Sequence, residues 1–252
     1  YIKGYVRRDR YTFELSPTNS GAVFRFSFSE EGENRINFIG DGKTVFEYDE
    51  RSGFVTGYTT SCSHAVRFGE LRQYFAVKTD VPFSVERGEN ALSLTMHAKV
   101  AECRFATSFL SAEQAKLNYA RELENRTLEE VRAAGEAEWE EYLSRIDIED
   151  KDEERKAVFY TCMYRAFLWP RKFHETDAEG KIRHLNLETG KPADGVLYVD
   201  NGFWDTYRTL YPYLSVIDTK LYAEMAEYSV LTPWLKNPDI EEINVNGWDD
   251  IA

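Results

Sequence analysis

The sequence predicts a protein of mixed β and α class, in which an antiparallel β-sandwich precedes helices that pack on one another. Apolar and polar residues alternate at 24–28 and again from Leu92 to Val100, which is typical of half-buried strands. Turn-forming residues separate such runs at 31–34, 52–53 and 88–90, a spacing that favours a sandwich. After about residue 106 the apolar residues take up helical spacing. Helix following helix favours an α/α barrel over an α/β sheet.

Two capping sequences predict where the first helices begin. Ser111 is followed by Gln114, and Thr127 by Glu130, and each pair has the spacing of a capping box. Behind the second cap, apolar residues recur at helical spacing with charged residues between them: Leu128, Val131, Trp139, Tyr142, Leu143 and Ile146. We therefore expect a helical stretch from Ser111 to Asp150.

Two further helices are predicted towards the C-terminus. One runs from about Glu153 to Trp169 and ends there, because Pro170 disfavours a helical predecessor. Its apolar stripe predicts that much of its surface is buried: Val158, Cys162, Ala166 and Trp169. The polar stretch 172–194 is predicted to be a surface loop or hairpin, with His174 and His184 exposed in it. Asp218 or Thr219 can cap another helix.

Composition excludes several classes of partner. The chain has 252 residues, 42% of them hydrophobic, and a net charge of −13, so nucleic acid and anionic membrane surfaces would be repelled. No apolar run approaches the length of a membrane span. The three cysteines have no C-x-x-C spacing, which argues against a zinc site and a disulfide framework and favours a reducing compartment. A periplasmic or secreted location stays open if a signal peptide precedes this segment.

The stretch Tyr198–Pro212 carries the chemistry that the sequence offers. Residues 200–202 are turn formers, so Trp204 and Asp205 are predicted in the first turn of the helix that follows. An indole beside a carboxylate suits a sugar, because the ring covers an apolar face while the oxygens accept from hydroxyls. The structural alternative is a core tryptophan with a surface ion pair between Asp205 and Arg208, three residues apart.

The segment NGFWDTYRTLYPYL, residues 201–214, resembles the central motif of glycoside hydrolase family 92, the calcium-dependent α-mannosidases. Two segments that precede it resemble the approach to that family's catalytic barrel and occur in the same order: AEWEEYLSRIDIE and ERKAVFYTCMYRAFLWPRKF. The resemblance extends from about Leu92 to Leu214. Several motifs in the right order make it more specific than one short pattern.

The resemblance implies an exo-acting enzyme that removes terminal α-linked mannose, with inversion and with Ca2+, from oligosaccharides such as N-glycans or yeast-type mannan. It places Trp204 and Asp205 in the pocket for the terminal mannose, with Arg208 orienting Asp205 or touching the sugar. It also implies that the catalytic acid, the base and the calcium ligands lie outside this chain. No catalytic residue and no metal ligand is therefore assigned here.

The resemblance divides the chain into part of a β-sandwich at 1–110, a helical linker at 111–150 and the first part of an (α/α)6 barrel at 151–252. It implies that the chain begins within the sandwich and ends within the barrel. Two alternatives stay open. One is another (α/α)6-barrel glycosidase, trehalase-like or of the debranching type, and the other is a non-catalytic carbohydrate-binding sandwich with a helical appendage.

Overall fold

A computed structural model describes residues 1–40, 43–60, 69–200, 206–227, 245–247 and 250–251 of the protein. These residues form two compact units. The first comprises residues 1–144 and 175–194, and the second comprises residues 145–174 and 195–252. Among the described helices, none is both long and apolar enough to cross a membrane.

Two antiparallel sheets, with ten strands among the described residues, build most of the first unit. Seven form one sheet in the order β1-β2-β3-β10-β7-β6-β5, and three form another in the order β4-β9-β8. The strands are β1 (Ile2–Val6), β2 (Tyr11–Pro17), β3 (Gly21–Phe28), β4 (Glu33–Ile39), β5 (Thr44–Asp49), β6 (Phe54–Thr59), β7 (Gln73–Thr79), β8 (Ser84–Gly88), β9 (Ala91–His97) and β10 (Val100–Ser108). The prediction of antiparallel β-sheets in the N-terminal part of the chain is confirmed.

The apolar core lies between the two sheets. Leu92, Leu94 and Met96 of β9 face Val55 of β6 and Val77 of β7, and all five are at most 1% exposed. The alternating residues of β3 pack against this core with three nearly parallel rings: Phe24, Phe26 and Phe28. The period-2 pattern therefore marks the face of each strand that is removed from water.

The predicted strand from Leu92 to Val100 is in fact two strands. β9 ends at His97 in the three-stranded sheet, and Val100 opens β10 in the seven-stranded sheet. The alternation of apolar residues continues through Ala98 and Val100. A crossing from one sheet to the other leaves that period unchanged, so the pattern could not reveal it.

Two helices cover the outer face of the seven-stranded sheet, namely α1 (Ala112–Glu122) and α2 (Leu128–Leu143). Ser111 accepts a hydrogen bond from the amide of Gln114, and Thr127 and Glu130 form the complete, reciprocal capping box. The predicted helix starts are confirmed. A second apolar cluster joins these helices to β3 and β10: Val23, Ala106, Tyr119, Leu123, Leu128 and Val131.

An ionic network fastens α2 to the sheet. Oε1 of Glu102, a residue that is 8% exposed, accepts from Arg25 at 2.6 Å, and its Oε2 accepts from Arg104 at 2.8 Å. Arg25 also donates to Glu129 of α2 at 2.8 Å. The Arg25 guanidinium lowers the pKa of the Glu129 carboxyl to about 2, so this attachment stays ionised throughout the neutral range.

Three short strands form a further sheet, which belongs to the first unit from Glu175 onward: β12 (His174–Thr176), β13 (Ile182–Leu185) and β14 (Pro192–Asp194). The predicted loop or hairpin at 172–194 is thus a hairpin. The carboxylate of Glu175 accepts from the hydroxyl of Ser108 at 3.0 Å and from the side-chain amide of Asn118 at 2.7 Å. Gln114 donates to the Thr176 carbonyl at 2.7 Å. These buried polar groups satisfy one another and fix the hairpin to β10 and α1.

The second unit contains α3 (Glu153–Phe167), the two-stranded ribbon of β11 (Arg171–Lys172) and β15 (Tyr198–Val199), α4 (Leu210–Ile217), α5 (Thr219–Glu227), β16 (Val245–Gly247) and β17 (Asp250–Ile251).

The predicted burial of α3 is wrong. Val158 is 58% exposed, Cys162 is exposed, and Met163 is the buried residue of this helix. Within the described part of the unit, no neighbouring layer covers the Val158 stripe, and amphipathic spacing alone cannot supply one.

The network around Glu102 gives a testable prediction. In Glu102→Gln, the guanidiniums of Arg25 and Arg104 lose their shared carboxylate, and a buried pair broken in this way costs about 3–5 kcal/mol. In the complete protein, hydrogen exchange at the amides of β10 should accelerate accordingly. The matched control is Glu136→Gln on α2, which breaks an exposed pair with Arg132 and should cost less than about 0.5 kcal/mol. Equal effects of the two substitutions would contradict this account.

Candidate functional site

The candidate site begins with the ribbon that leads into the Tyr198–Pro212 stretch. β11 and β15 pair antiparallel, with Arg171 opposite Val199 and Lys172 opposite Tyr198. The amide of Phe173 then donates to the Leu197 carbonyl at 2.8 Å, and the ring of Phe173 is buried. The segment before residue 200 is therefore extended, and its backbone position is set by pairing with residues 171–173.

Asp200 ends this ribbon in a left-handed conformation, with φ of +62°. Aspartate and asparagine tolerate this conformation better than most residues, because a short polar side chain can make local hydrogen bonds. The carboxylate of Asp200 accepts from Nε of Arg171 at 2.6 Å. The Arg171 guanidinium in turn lies 5.2 Å from the centre of the Trp169 ring. The chain thus bends at Asp200, and an ion pair ties this residue to the opposite strand, while the other two residues of the predicted turn, 201 and 202, lie outside the described residues.

Side chains hold the other end of the ribbon. Nδ1 of His174 lies 3.1 Å from the Leu197 carbonyl oxygen, and its ring meets the Tyr198 ring edge-on at 5.5 Å. The hydroxyl of Tyr198 donates to Glu224 of α5 at 3.1 Å. The prediction that His174 is an exposed loop residue is wrong, because pairing of β11 with β15 places it against Leu197. His184 is likewise only half-buried, within β13.

The two helices behind the ribbon share a capped junction at Asp218. Its Oδ1 accepts from the Leu221 amide at 3.0 Å, which confirms the predicted cap of α5. Asp218 also pairs with Arg145. Burial acts to raise the pKa of Asp218, but the Leu221 hydrogen bond and the Arg145 guanidinium together hold it below its usual value. The Asp218 carboxylate is therefore ionised at neutral pH, and its ion pair with Arg145 holds the junction in place.

A comparison with protein families identifies this architecture. The model of the glycosyl hydrolase family 92 catalytic domain matches residues 114–248, more than half of the chain and including the whole ribbon and the Tyr198–Pro212 stretch. The chain belongs to glycosyl hydrolase family 92. The resemblance found in the sequence is thereby confirmed. A search of curated protein sequences gave no significant match.

Solved structures of family 92 share the fold. The inverting mannosidase BT2199 from Bacteroides thetaiotaomicron VPI-5482 is 27% identical, with a TM-score of 0.78 over 84% of this chain and 31% of that one. The α-mannosidase BT3965 from Bacteroides thetaiotaomicron is 22% identical, with a TM-score of 0.71 over 91% of this chain and 34% of that one. BT3965 in complex with mannoimidazole matches with a TM-score of 0.69, at 22% identity over 91% of this chain and 33% of that one. This chain spans about a third of the length of these proteins.

The structure describes one of the three site residues predicted from the family 92 motif. Trp204 and Asp205 lie outside the described residues. Arg208 is exposed, with its guanidinium 5.0 Å from the centre of the Tyr207 ring. Just beyond it, α4 begins at Leu210 and buries Leu214 completely.

Sequence reasoning missed four residues that hold the ribbon, namely Arg171, His174, Tyr198 and Glu224. Each acts through a partner that is distant in sequence, so no local pattern announces it. Tyr198 and Asp200 belong to the stretch Tyr198–Pro212, but their partners, Glu224 and Arg171, lie outside it. Among the described residues, no three His, Cys, Asp or Glu side chains are grouped so as to hold a metal ion.

The conformation of Asp200 gives the second prediction. Asp200→Asn keeps a residue that tolerates positive φ and loses an exposed ion pair, at a cost below about 1 kcal/mol. Asp200→Ala adds the strain of a left-handed backbone, about 1–2 kcal/mol. Hydrogen exchange at the Phe173 amide, measured in the complete protein, should therefore accelerate more in the alanine variant.

The control for this pair is Asp194→Ala, which removes an exposed carboxylate from β14, and it should leave the Phe173 amide unaffected. Identical exchange in the asparagine and alanine variants would show that the ion pair, not the backbone conformation, fixes the turn.

Proposed function

We propose that this chain is part of an exo-acting α-mannosidase that hydrolyses terminal α-linked mannose with inversion and depends on calcium. The observation that carries the proposal is the family 92 match, which includes the motif at 201–214. It is supported by likeness to BT2199, a protein described as an inverting mannosidase, at 27% identity. Membership of this family also disfavours a trehalase-like or debranching enzyme.

The proposed architecture follows the family. We place part of a β-sandwich at 1–110, a helical linker at 111–150 and the first part of an (α/α)6 barrel at 151–252, with α3, α4 and α5 among its first helices. Consecutive amphipathic helices suit such a barrel, and α4 and α5 follow each other with only Asp218 between them. The exposed stripe at Val158 on α3 would then face helices contributed by the remainder of the enzyme.

The proposed substrate contacts are Trp204, Asp205 and Arg208. Asp205 would accept hydrogen bonds from two adjacent hydroxyls of the terminal mannose, and the Trp204 indole would cover an apolar face of the same sugar. Arg208 would orient the Asp205 carboxylate or donate to the sugar. The ribbon of β11 and β15 would hold the chain six residues before Asp205, which would limit the positions open to the substrate contacts.

Inverting hydrolysis needs one carboxylic acid on the leaving oxygen and one carboxylate that activates water. We assign neither to this chain, and both would come from the rest of the barrel. The described residues do not fit a calcium ion either, because no suitable group of ligands is present among them. We therefore derive no step through calcium. The proposed dependence of hydrolysis on calcium is to be tested on the complete enzyme.

The test is turnover by the complete enzyme. An aryl α-mannoside and an α-mannobiose should be hydrolysed, whereas the aryl β-mannoside and aryl α-glucoside should not. Proton NMR should detect β-mannose as the first product, because inversion turns the α-linkage into a β-anomer. Chelation should abolish turnover, and added calcium should restore it. Hydrolysis of none of the α-mannosides, or α-mannose as the first product, would contradict the proposal.

A further inference from the structure

The ring of His174 lies at one end of the ribbon and faces both backbone polar groups of a single residue. Nδ1 of His174 lies 3.2 Å from the amide nitrogen of Leu197 and 3.1 Å from the Leu197 carbonyl oxygen. The ring is half-buried, and both residues belong to the second unit. One ring nitrogen carries either a lone pair or a hydrogen, so it can serve the amide or the carbonyl but not both.

The partners of Leu197 decide which form of the ring fits. Its carbonyl already accepts from the Phe173 amide at 2.8 Å. Its amide has a single hydrogen, and within the described part of the chain Nδ1 of His174 accepts it. Neutral imidazole with its proton on Nε2 therefore satisfies both groups. A proton on Nδ1 would turn a second donor towards the amide and leave the Leu197 N–H without its acceptor.

Tyr198 keeps the imidazole in this orientation. Its ring meets the His174 ring edge-on, with the two centres 5.5 Å apart. The Tyr198 hydroxyl donates to Glu224 of α5 at 3.1 Å, which fixes the tyrosine in turn. His174 thus supplies an acceptor to Leu197, the residue directly before β15, from a ring that its neighbour holds in place.

The elements around this ring carry five titratable or charged groups: Arg171 and Lys172 of β11, Glu175 of β12, Tyr198 of β15 and Glu224 of α5. Arg171 pairs with Asp200, and Lys172 is exposed. Glu224 accepts from the Tyr198 hydroxyl, and Glu175 accepts from side chains of the first unit. Both carboxylates are therefore bonded to other donors, whereas Nδ1 of the imidazole is bonded to the Leu197 amide.

We propose that His174 is a positioning residue, which holds the ribbon only while its ring is neutral and so makes mannoside binding sensitive to acid. The inference rests on the proposed function, because the ribbon leads into the motif that carries the proposed substrate contacts. The neutral ring holds the Leu197 amide and with it the backbone that leads to Asp200. Free imidazole takes up a proton near about pH 6.5. Protonation removes the acceptor and loosens this backbone, so binding weakens as the pH falls.

The experiment measures hydrogen exchange at the Leu197 amide of the complete enzyme, relative to its intrinsic exchange rate, at about pH 8 and about pH 5. Protection in the unmodified enzyme should be about 5–100-fold lower at the acid pH, the effect of leaving one amide unpaired. His174→Asn places Oδ1 at the bonded position of Nδ1, so an acceptor remains that does not titrate. Its protection should be equal at the two pH values. His174→Leu has no acceptor, and its protection should be low at both.

The ratio of kcat/KM between the unmodified enzyme and the His174→Asn variant, for an aryl α-mannoside, provides the functional readout. Groups elsewhere titrate alike in both proteins, so the ratio isolates this ring. It should fall by about 2–10-fold between about pH 8 and about pH 5, because a displaced ribbon misplaces the substrate contacts. The matched control is His184→Asn, which alters a half-buried histidine of β13 in the first unit. Its ratio to the unmodified enzyme should not change with pH.

Two outcomes would overturn the inference. One is protection of the Leu197 amide that is unaffected by acid in the unmodified enzyme, or that persists in His174→Leu. The other is a ratio of kcat/KM between the unmodified enzyme and His174→Asn that stays constant with pH. Absence of any α-mannoside turnover by the unmodified enzyme would instead contradict the proposed function. The exchange measurement needs no turnover, so failure of one proposal is distinguishable from failure of the other.

Discussion

The left-handed backbone of Asp200, supported by an ion pair with Arg171, is the constraint on which the candidate site depends. The ion pair joins the strand that follows α3 to Asp200, the residue directly before the family 92 motif. Asp200 holds a left-handed backbone there, and the β11–β15 pairing leaves that backbone little freedom to adopt another course. The position of the residue that precedes the motif is therefore set by residues about 30 positions earlier in the chain.

Supporting contacts make this arrangement stiffer than an exposed ion pair could alone. An isolated surface pair contributes about 0–1 kcal/mol, and salt weakens it further. The buried ring of Phe173, the His174 contact with Leu197 and the hydrogen bond between Tyr198 and Glu224 act on the same ribbon. Groups that must meet a substrate in a fixed geometry need support of this kind, because misplacement by about 1 Å can cost 100-fold in rate.

The sandwich uses a different device for the same purpose. Glu102 receives two guanidiniums beneath α2, and such a buried charge pair contributes less to stability than apolar packing of the same volume. Its value lies in position, because Arg25 can satisfy Glu102 and Glu129 together only when α2 sits in one place on the sheet. The apolar cluster around Val23 and Leu128 also holds α2 against the sheet, but apolar contacts do not select one position of the helix as the ion pairs do.

Sequence patterns predicted the features that depend on near neighbours. Alternation located the strands, and capping residues located the starts of α1, α2 and α5. The patterns failed where the outcome depends on distant partners. The change of sheet at Ala98, the exposure of the α3 stripe and the contact of His174 with Leu197 each follow from tertiary neighbours that periodicity does not encode.

Resemblance to the family motif assigned a role to Asp205 that the spacing of residues could not assign. Spacing alone left Asp205 as either a sugar ligand or a partner of Arg208 three residues away. The family match raises the first of these interpretations to a proposal. The central claim is therefore that the Asp205 carboxylate binds the terminal mannose.

The most direct measurement is the melting temperature and kcat/KM of Asp205→Asn, determined on one preparation of the complete enzyme. If Asp205 binds sugar, the melting temperature should be nearly unchanged. The loss of a charge-assisted hydrogen bond, about 1.5–3 kcal/mol, should lower kcat/KM by roughly 10–100-fold. A destabilised variant with unchanged kinetics would show that Asp205 is a structural partner of Arg208, and would contradict the account of the site.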